Sequence, residues 1–267
     1  CSIVFNIIGD TIKIAHWGAP LTKVTDESLA ITKRPIAHGD LDVNPRNLIL
    51  REHSRGWRGR PALRGHRSGK SVSNHFSIVK HEATKDSFAV QFADQLAGLE
   101  LNIDYQLDQH GILTVQSTIK NVAEGDYQLE QLLNWLPLPP QADEVLDFFG
   151  HHCKERQPQR YPITYGLTTR EGFEGRSGHD FTITQIALNK STNFQSGEAW
   201  SFAVAWSGNN VNHIEKLVDD NLSIGGGEYL LPGEIILKSG ESYSTPKVIA
   251  AYSAKGLDEI TNKHYAH

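Results

Sequence analysis

The chain contains no methionine and only two cysteines, Cys1 and Cys153, in 267 residues. Two thiols close at most one bridge, so a disulfide scaffold is excluded. Two free thiols in a reducing compartment are the simpler reading. No run approaches the ~18 apolar residues of a membrane-spanning helix. The opening Cys1-Ser2-Ile3-Val4-Phe5 lacks both the basic flank of a signal peptide and an initiator Met. We therefore expect an excerpt of a longer protein or a trimmed product, located in the cytoplasm. No charge sign dominates. Lys and Arg number 26 against 31 Asp and Glu, a formal net charge of -5. Nucleic acid and anionic membrane are poor partners for such a surface. Two sequons, Asn189-Lys190-Ser191 and Asn221-Leu222-Ser223, read as chance without a secretion signal.

What is present is ordinary globular material. Apolar residues make up 39% and glycines number 23, enough for an unassisted core at this length. The dominant hydrophobic period is two. Expected strands are 75–80, 86–93, 98–107, 112–119, 127–135, 181–188, 199–207, 228–231, 234–237 and 243–252. Asp108-Gln109-His110-Gly111 and Asn121 to Asp126 supply turn chemistry between them. Helical signals are few: Asp26 to Thr32, and Gly256 to Tyr265 with Leu257, Ile260 and His264 on one stripe. A lone terminal helix with nothing to pack on suggests a domain boundary. The polar, Arg-rich stretch Pro137 to Gly178 reads as one long loop, of the kind that serves function or an interface. A (β/α)8 barrel is excluded, because eight amphipathic helices are not there. The expected fold is all-β: a large antiparallel β-sandwich in one domain.

Motifs for chemistry are weak. Ser68-Gly69-Lys70-Ser71 resembles a phosphate-loop end, but Arg64 stands where the loop needs Gly and no apolar strand leads in. Gly225-Gly226-Gly227 reads as a hairpin turn. His151-His152-Cys153 reads as a fortuitous cluster of soft ligands, since adjacent side chains on extended backbone diverge. No Gly-x-Ser-x-Gly elbow marks a nucleophile. The most unusual stretch is Arg51 to Lys70, with Arg51, Arg55, Arg58, Arg60, Arg64 and Arg67 around Trp57. Gly56, Gly59 and Pro61 make it a shaped loop suited to an interface or a ligand rim.

Several segments resemble the N-terminal domain of glycoside hydrolase family 36, the bacterial α-galactosidases. They are His16-Trp17-Gly18-Ala19-Pro20-Leu21, then Arg55-Gly56-Trp57-Arg58-Gly59-Arg60-Pro61 with Gly65-His66-Arg67. A third block runs Leu146-Asp147-Phe148, Glu155 to Arg160, Arg170-Glu171 and Gly175 to Asp180. Ala205 to Asn209, Leu231-Pro232-Gly233-Glu234 and Tyr243-Ser244-Thr245-Pro246 complete the set.

The resemblance implies a galactose mutarotase-like β-supersandwich over residues 1–255. It also implies that 256–267 start the linker helix to a catalytic (β/α)8 barrel. The family's nucleophile and acid/base are two barrel Asp residues, set about 5 Å apart for retention, so this chain carries no catalytic residue. No cofactor and no metal are implied. The partners implied are the barrel, an α-galactoside bound by the full-length enzyme, and a homo-oligomer in which one loop reaches a neighbour's active site. That loop carries an acidic residue before its aromatic and Arg in the family. Here it offers Trp57 and Arg58 without the acid. Trp57 and Arg58 are the candidate substrate-rim residues, expected on an exposed loop. Arg156, Arg160, Arg170, Arg176, His179 and Asp180 are the candidate inter-domain residues. A carbohydrate-binding module or an interaction scaffold acting alone is the alternative.

Overall fold

The computed structural model describes residues 1–25, 27–28, 45–71 and 73–267. The expected helix from Asp26 to Thr32 falls almost entirely outside them. Nineteen strands are described: β1 Ser2–Ile8, β2 Thr11–Gly18, β3 Leu63–His66, β4 Ser77–Ala83, β5 Ser87–Asp94, β6 Leu99–Leu107, β7 Ile112–Asn121, β8 Tyr127–Leu132, β9 Asn134–Leu138 and β10 Glu144–His151. There follow β11 Lys154–Pro162, β12 Gly166–Gly172, β13 Thr184–Leu188, β14 Ala199–Val204, β15 Asn210–Lys216, β16 Leu222–Glu228, β17 Ile235–Leu237, β18 Ser242–Ser244, β19 Val248–Ser253 and one helix, α1, Gly256–Ala266. All paired strands are antiparallel.

A ten-stranded sheet runs β11-β10-β13-β14-β19-β7-β6-β5-β4, with β18 added beside β7. A four-stranded sheet, β12-β15-β16-β9, and a three-stranded one, β17-β8-β3, oppose it, and β1-β2 forms a ribbon. One core joins these layers. Leu99, Leu101, Ile103 and Tyr105 of β6 share one core with Phe88, Val90 and Phe92 of β5, and with Leu136, Ile214 and Ile224 of the smaller sheet. Strict alternation places these side chains on one face.

The centre of the large sheet is buried on both faces. In β14, Trp200, Phe202 and Val204 enter the main core, while Ala199 joins a second cluster with Ile260 of α1. β19 divides the same way, Val248, Ala250 and Tyr252 against Ala251. So α1 is not unpartnered, contrary to expectation. Its first N–H groups donate to the 193–197 turn: Leu257 to Asn193 O (3.1 Å) and Asp258 to Phe194 O (2.9 Å). His264 Nε2 meets Ser201 Oγ at 2.9 Å, and Lys263 Nζ donates to Tyr252 O at 2.6 Å. An 11-residue helix is marginal in isolation, so this docking holds it.

Three further expectations are corrected. The stretch 127–135 is two strands in two sheets, split at Leu133, whose N–H donates to Ala62 O at 2.9 Å. The Gly225-Gly226-Gly227 run lies inside β16. A Cβ on Gly225 would fall 2.3 Å from the Trp135 ring, and one on Gly226 2.4 Å from Val211 O. Close layer packing, not a turn, demands glycine there. Most of Pro137 to Gly178 forms β10, β11 and β12 rather than one loop. β11 and β12 are edge strands, which pair through backbone and tolerate polar faces and the prolines Pro158 and Pro162.

Candidate functional site

The Arg-rich loop is built from the inside out. Arg51 is buried, its guanidinium 4.4 Å from the Trp57 ring centroid and 3.9 Å from that of Trp135. Such desolvated cation–π contacts stabilise by about 2 kcal/mol. Arg51 Nη1 donates to Glu215 Oε2 at 3.1 Å. Arg60 N–H donates to the other oxygen, Glu215 Oε1, at 2.7 Å. One carboxylate thus ties both ends of the loop to β15. It also explains Gly59: a Cβ there would lie 2.4 Å from Glu215 Oε2. His213, two residues along β15, stacks on Trp135 with centroids 5.7 Å apart and accepts or donates with Thr169 Oγ1 at 3.0 Å. The loop therefore covers the outer face of the four-stranded sheet and buries residues that would otherwise face water.

Burial dominates the electrostatics. It pulls Arg51 down to about 9, against the opposing pull of Glu215, so Arg51 is a cation at neutral pH. It pulls His213 down to about 3, helped by the charges of Arg60 and Arg51, so that imidazole is neutral. It raises Glu52, although Phe76 N–H (2.8 Å) and Arg55 Nε (2.9 Å) donate to that carboxylate.

Most of the basic side chains are consumed in this way. Arg60 Nε donates to Gln131 Oε1 (2.9 Å), whose own amide donates to Pro61 O (2.7 Å). Arg67 donates to Ala97 O, Gly98 O, Asn121 Oδ1 and Gly125 O, stitching two turns together. Arg58 is different: it is exposed. Beside the loop lies an open cleft of about 700 Å³, lined among others by His53, Arg60, Arg64, His66, Asn74 and Glu130. Phe76, the cleft's large ring, is 1% exposed, so among the described residues no Trp, Tyr or Phe face is offered there for sugar stacking.

Trp57 departs from expectation. It is 3% exposed, and its Nε1 donates to Arg60 O at 3.0 Å. Gly56, at φ 83°, closes a short 3-10 turn and sends the ring inward rather than out. One of its faces meets Arg51, so the ring packs the loop instead of presenting itself to solvent. Of the pair, Arg58 alone reaches the surface.

The inter-domain candidates also divide. Arg170 pairs with buried Asp147 (3.3 Å) and donates to Phe148 O (3.2 Å) and Asp180 O (3.0 Å), linking β12 to β10. Arg160 pairs with Glu144 and donates to Thr192 O (2.7 Å), Asn189 O (3.0 Å) and Lys190 O (2.9 Å). These two forks are engaged within the chain, which corrects the expectation of free donors. Arg156, Arg176, His179 and Asp180 are exposed.

Sequence reasoning missed Glu215 and His213. In Asn210 to Lys216 only Val211 and Ile214 are apolar, so the stretch reads as a polar surface segment, and nothing local signals that a loop some 150 residues earlier covers it.

With this geometry in hand, the comparisons are decisive. The sequence model of the glycosyl hydrolase family 36 N-terminal domain matches residues 10–238. The chain belongs to this family. An α-galactosidase of Escherichia coli is 30% identical over 253 residues, which are 95% of this chain and 36% of that protein. α-Galactosidase 1 of Pediococcus pentosaceus is 25% identical over 193 residues, 71% of this chain and 26% of that protein. The chain thus spans about a third or less of these relatives. The fold matches the family 36 α-galactosidase AgaA of Geobacillus stearothermophilus, solved in complex with 1-deoxygalactonojirimycin, with a TM-score of 0.83. That match is 18% identical and covers 99% of this chain and 42% of that one. The α-galactosidase of Lactobacillus brevis gives a TM-score of 0.84 at 17% identity, over 99% and 40% of the two chains. The family 36 domain described here is all-β with a C-terminal helix, and no helix among its described residues is long and apolar enough to cross a membrane.

Proposed function

We propose that this domain is the non-catalytic N-terminal part of a cytoplasmic α-galactosidase that hydrolyses terminal α-linked galactose. In this reading 1–255 support the catalytic (β/α)8 barrel, and 256–267 lead toward it. The observation that carries the proposal is the family match over residues 10–238 within relatives named α-galactosidase that extend well beyond this chain.

The loop geometry refines the roles. Trp57 and Arg51 hold the loop, and Arg58 at its exposed turn is the rim residue, offered to a substrate or to a neighbouring subunit of a homo-oligomer. Arg156, Arg176, His179 and Asp180 belong to the inter-domain face. Arg160 and Arg170 shape that face without donating across it.

The test compares two proteins. The 267-residue chain, purified alone, is expected to fold and to leave a chromogenic α-galactoside intact, because retaining hydrolysis needs a carboxylate pair on the barrel. In the full-length enzyme, Arg58→Ala is expected to raise KM while leaving Tm within the range of a surface change, about 0.5 kcal/mol. Trp57→Ala is expected to cost about 3–5 kcal/mol of stability as a core truncation. Turnover by the chain alone that a point change within it abolishes would overturn the assignment. An unchanged KM in Arg58→Ala would remove the rim role.

A further inference from the structure

The β10–β11 turn and the loop after β12 bring three metal-ligating side chains together. His152 stands on the turn, Glu155 at the irregular start of β11, and His179 arrives from the later loop. One nitrogen from each imidazole and one carboxylate oxygen all lie within 4.8 Å of one another. The turn has a shape that sequence spacing alone does not disclose. Cys153 takes φ 65° and Arg156 φ 49°, so His152 and Glu155 share a side instead of diverging as on extended backbone. Cys153 N–H donates to Glu155 Oε1 at 2.7 Å, holding the carboxylate in place. His152 Nδ1 stands 3.9 Å from the same oxygen. His151 is turned away, its Nδ1 engaged with His152 O at 2.7 Å.

We propose that His152, Glu155 and His179 form a three-ligand site for a divalent transition metal, zinc foremost, that clips the β10–β11 turn to the loop preceding β13. Two imidazoles and one carboxylate suit zinc and its borderline neighbours; magnesium and calcium prefer all-oxygen shells. Ligand atoms on one tetrahedral zinc sit about 3.3 Å apart, given bonds of about 2.0–2.2 Å. The present spacing closes to that value by small rotations. The imidazoles are free to make them toward the fixed carboxylate, with His152 88% exposed and His179 exposed. Three protein ligands leave a fourth position to water. The clip joins an edge hairpin of the ten-stranded sheet to a segment distant along the chain, so bound metal opposes opening of that edge.

The experiment uses the 267-residue chain carrying Cys153→Ser, which removes the neighbouring thiol as a ligand. Zn²⁺ is titrated against a chromophoric chelator, and Tm is recorded with and without Zn²⁺. The expected result is one Zn²⁺ per monomer and a Zn²⁺-dependent rise in Tm. Both are lost in His179→Ala and in Glu155→Gln, and both are kept in the exposed-histidine control His110→Ala. All variants should share the metal-free Tm, since these side chains are exposed. Absence of stoichiometric binding would overturn the proposal. So would binding that survives His179→Ala, that falls equally in His110→Ala, or that requires two copies of the chain.

Discussion

Replacing Glu215 by Gln should unlock the Arg-rich loop. The Arg51 and Glu215 side chains are 1% and 5% exposed, and they meet at 3.1 Å. Gln keeps an acceptor for the Arg60 N–H but removes the charge opposite Arg51. A buried guanidinium would then lack its counter-ion. Breaking one side of a buried pair costs about 3–5 kcal/mol. The two indole faces on Arg51 remain, so the lower end, about 3 kcal/mol, applies. For a domain of this size that lowers Tm by about 6–12 °C. Denaturant melts of the parent, Glu215→Gln, Arg51→Met and the double variant give the coupling directly. In the double variant no charge is left buried, and most of the loss should return. A Glu215→Gln loss under ~1 kcal/mol, or strict additivity in the double variant, would refute the argument that this pair anchors the loop.

His213 predicts an acid limb. Its folded pKa, about 3, lies below the ordinary 6.5, so the unfolded chain binds the extra proton. Stability is complete above pH ~6.5 and falls as pH drops toward ~3, by up to about 5 kcal/mol from this group. His213→Gln should flatten that part of the pH–stability curve; an unchanged curve would contradict burial of a neutral imidazole. Gly59→Ala should cost about 1–3 kcal/mol, because Glu215 must retreat from the new methyl group. A neutral result in thermal melts would show that the carboxylate moves freely. Ile260→Ala should cost about 2–4 kcal/mol and release α1, seen as faster amide exchange confined to 256–266 and the outer face of β14. Uniform exchange in both proteins would show that the helix does not depend on this contact.

Some of this was legible in the residues. β5, β6 and β7 alternate cleanly because one face of each meets the core and the other meets water. The stripe Leu257, Ile260 and His264 marked α1, and all three of those residues face the sheet. The Arg51 to Lys70 loop announced itself by composition, and its glycines and proline predicted a shaped segment outside the sheets; residues 51–62 are that, but Leu63–His66 within it is the strand β3, paired with β8. What failed were inferences about direction. Trp57 between two glycines reads as an exposed ring, yet the turn at Gly56 points it inward. Gln157 to Arg160 read as loop residues, yet they pair with β10, because backbone pairing at a sheet edge needs no apolar pattern.

By itself, the sequence determined the class of structure: a methionine-free, mildly acidic, period-two chain with room for one large antiparallel core. It also carried the motifs that placed it in glycoside hydrolase family 36. Local periodicity suffices for that, because a half-buried strand writes its burial into every second residue. Only the tertiary structure decided which charges are internal. Glu215 and His213 look like surface residues until a loop far along the chain folds across β15, and Arg51 looks like a surface cation until two indoles enclose it. Such burial depends on contacts between distant segments, and no pattern within a single strand can encode it.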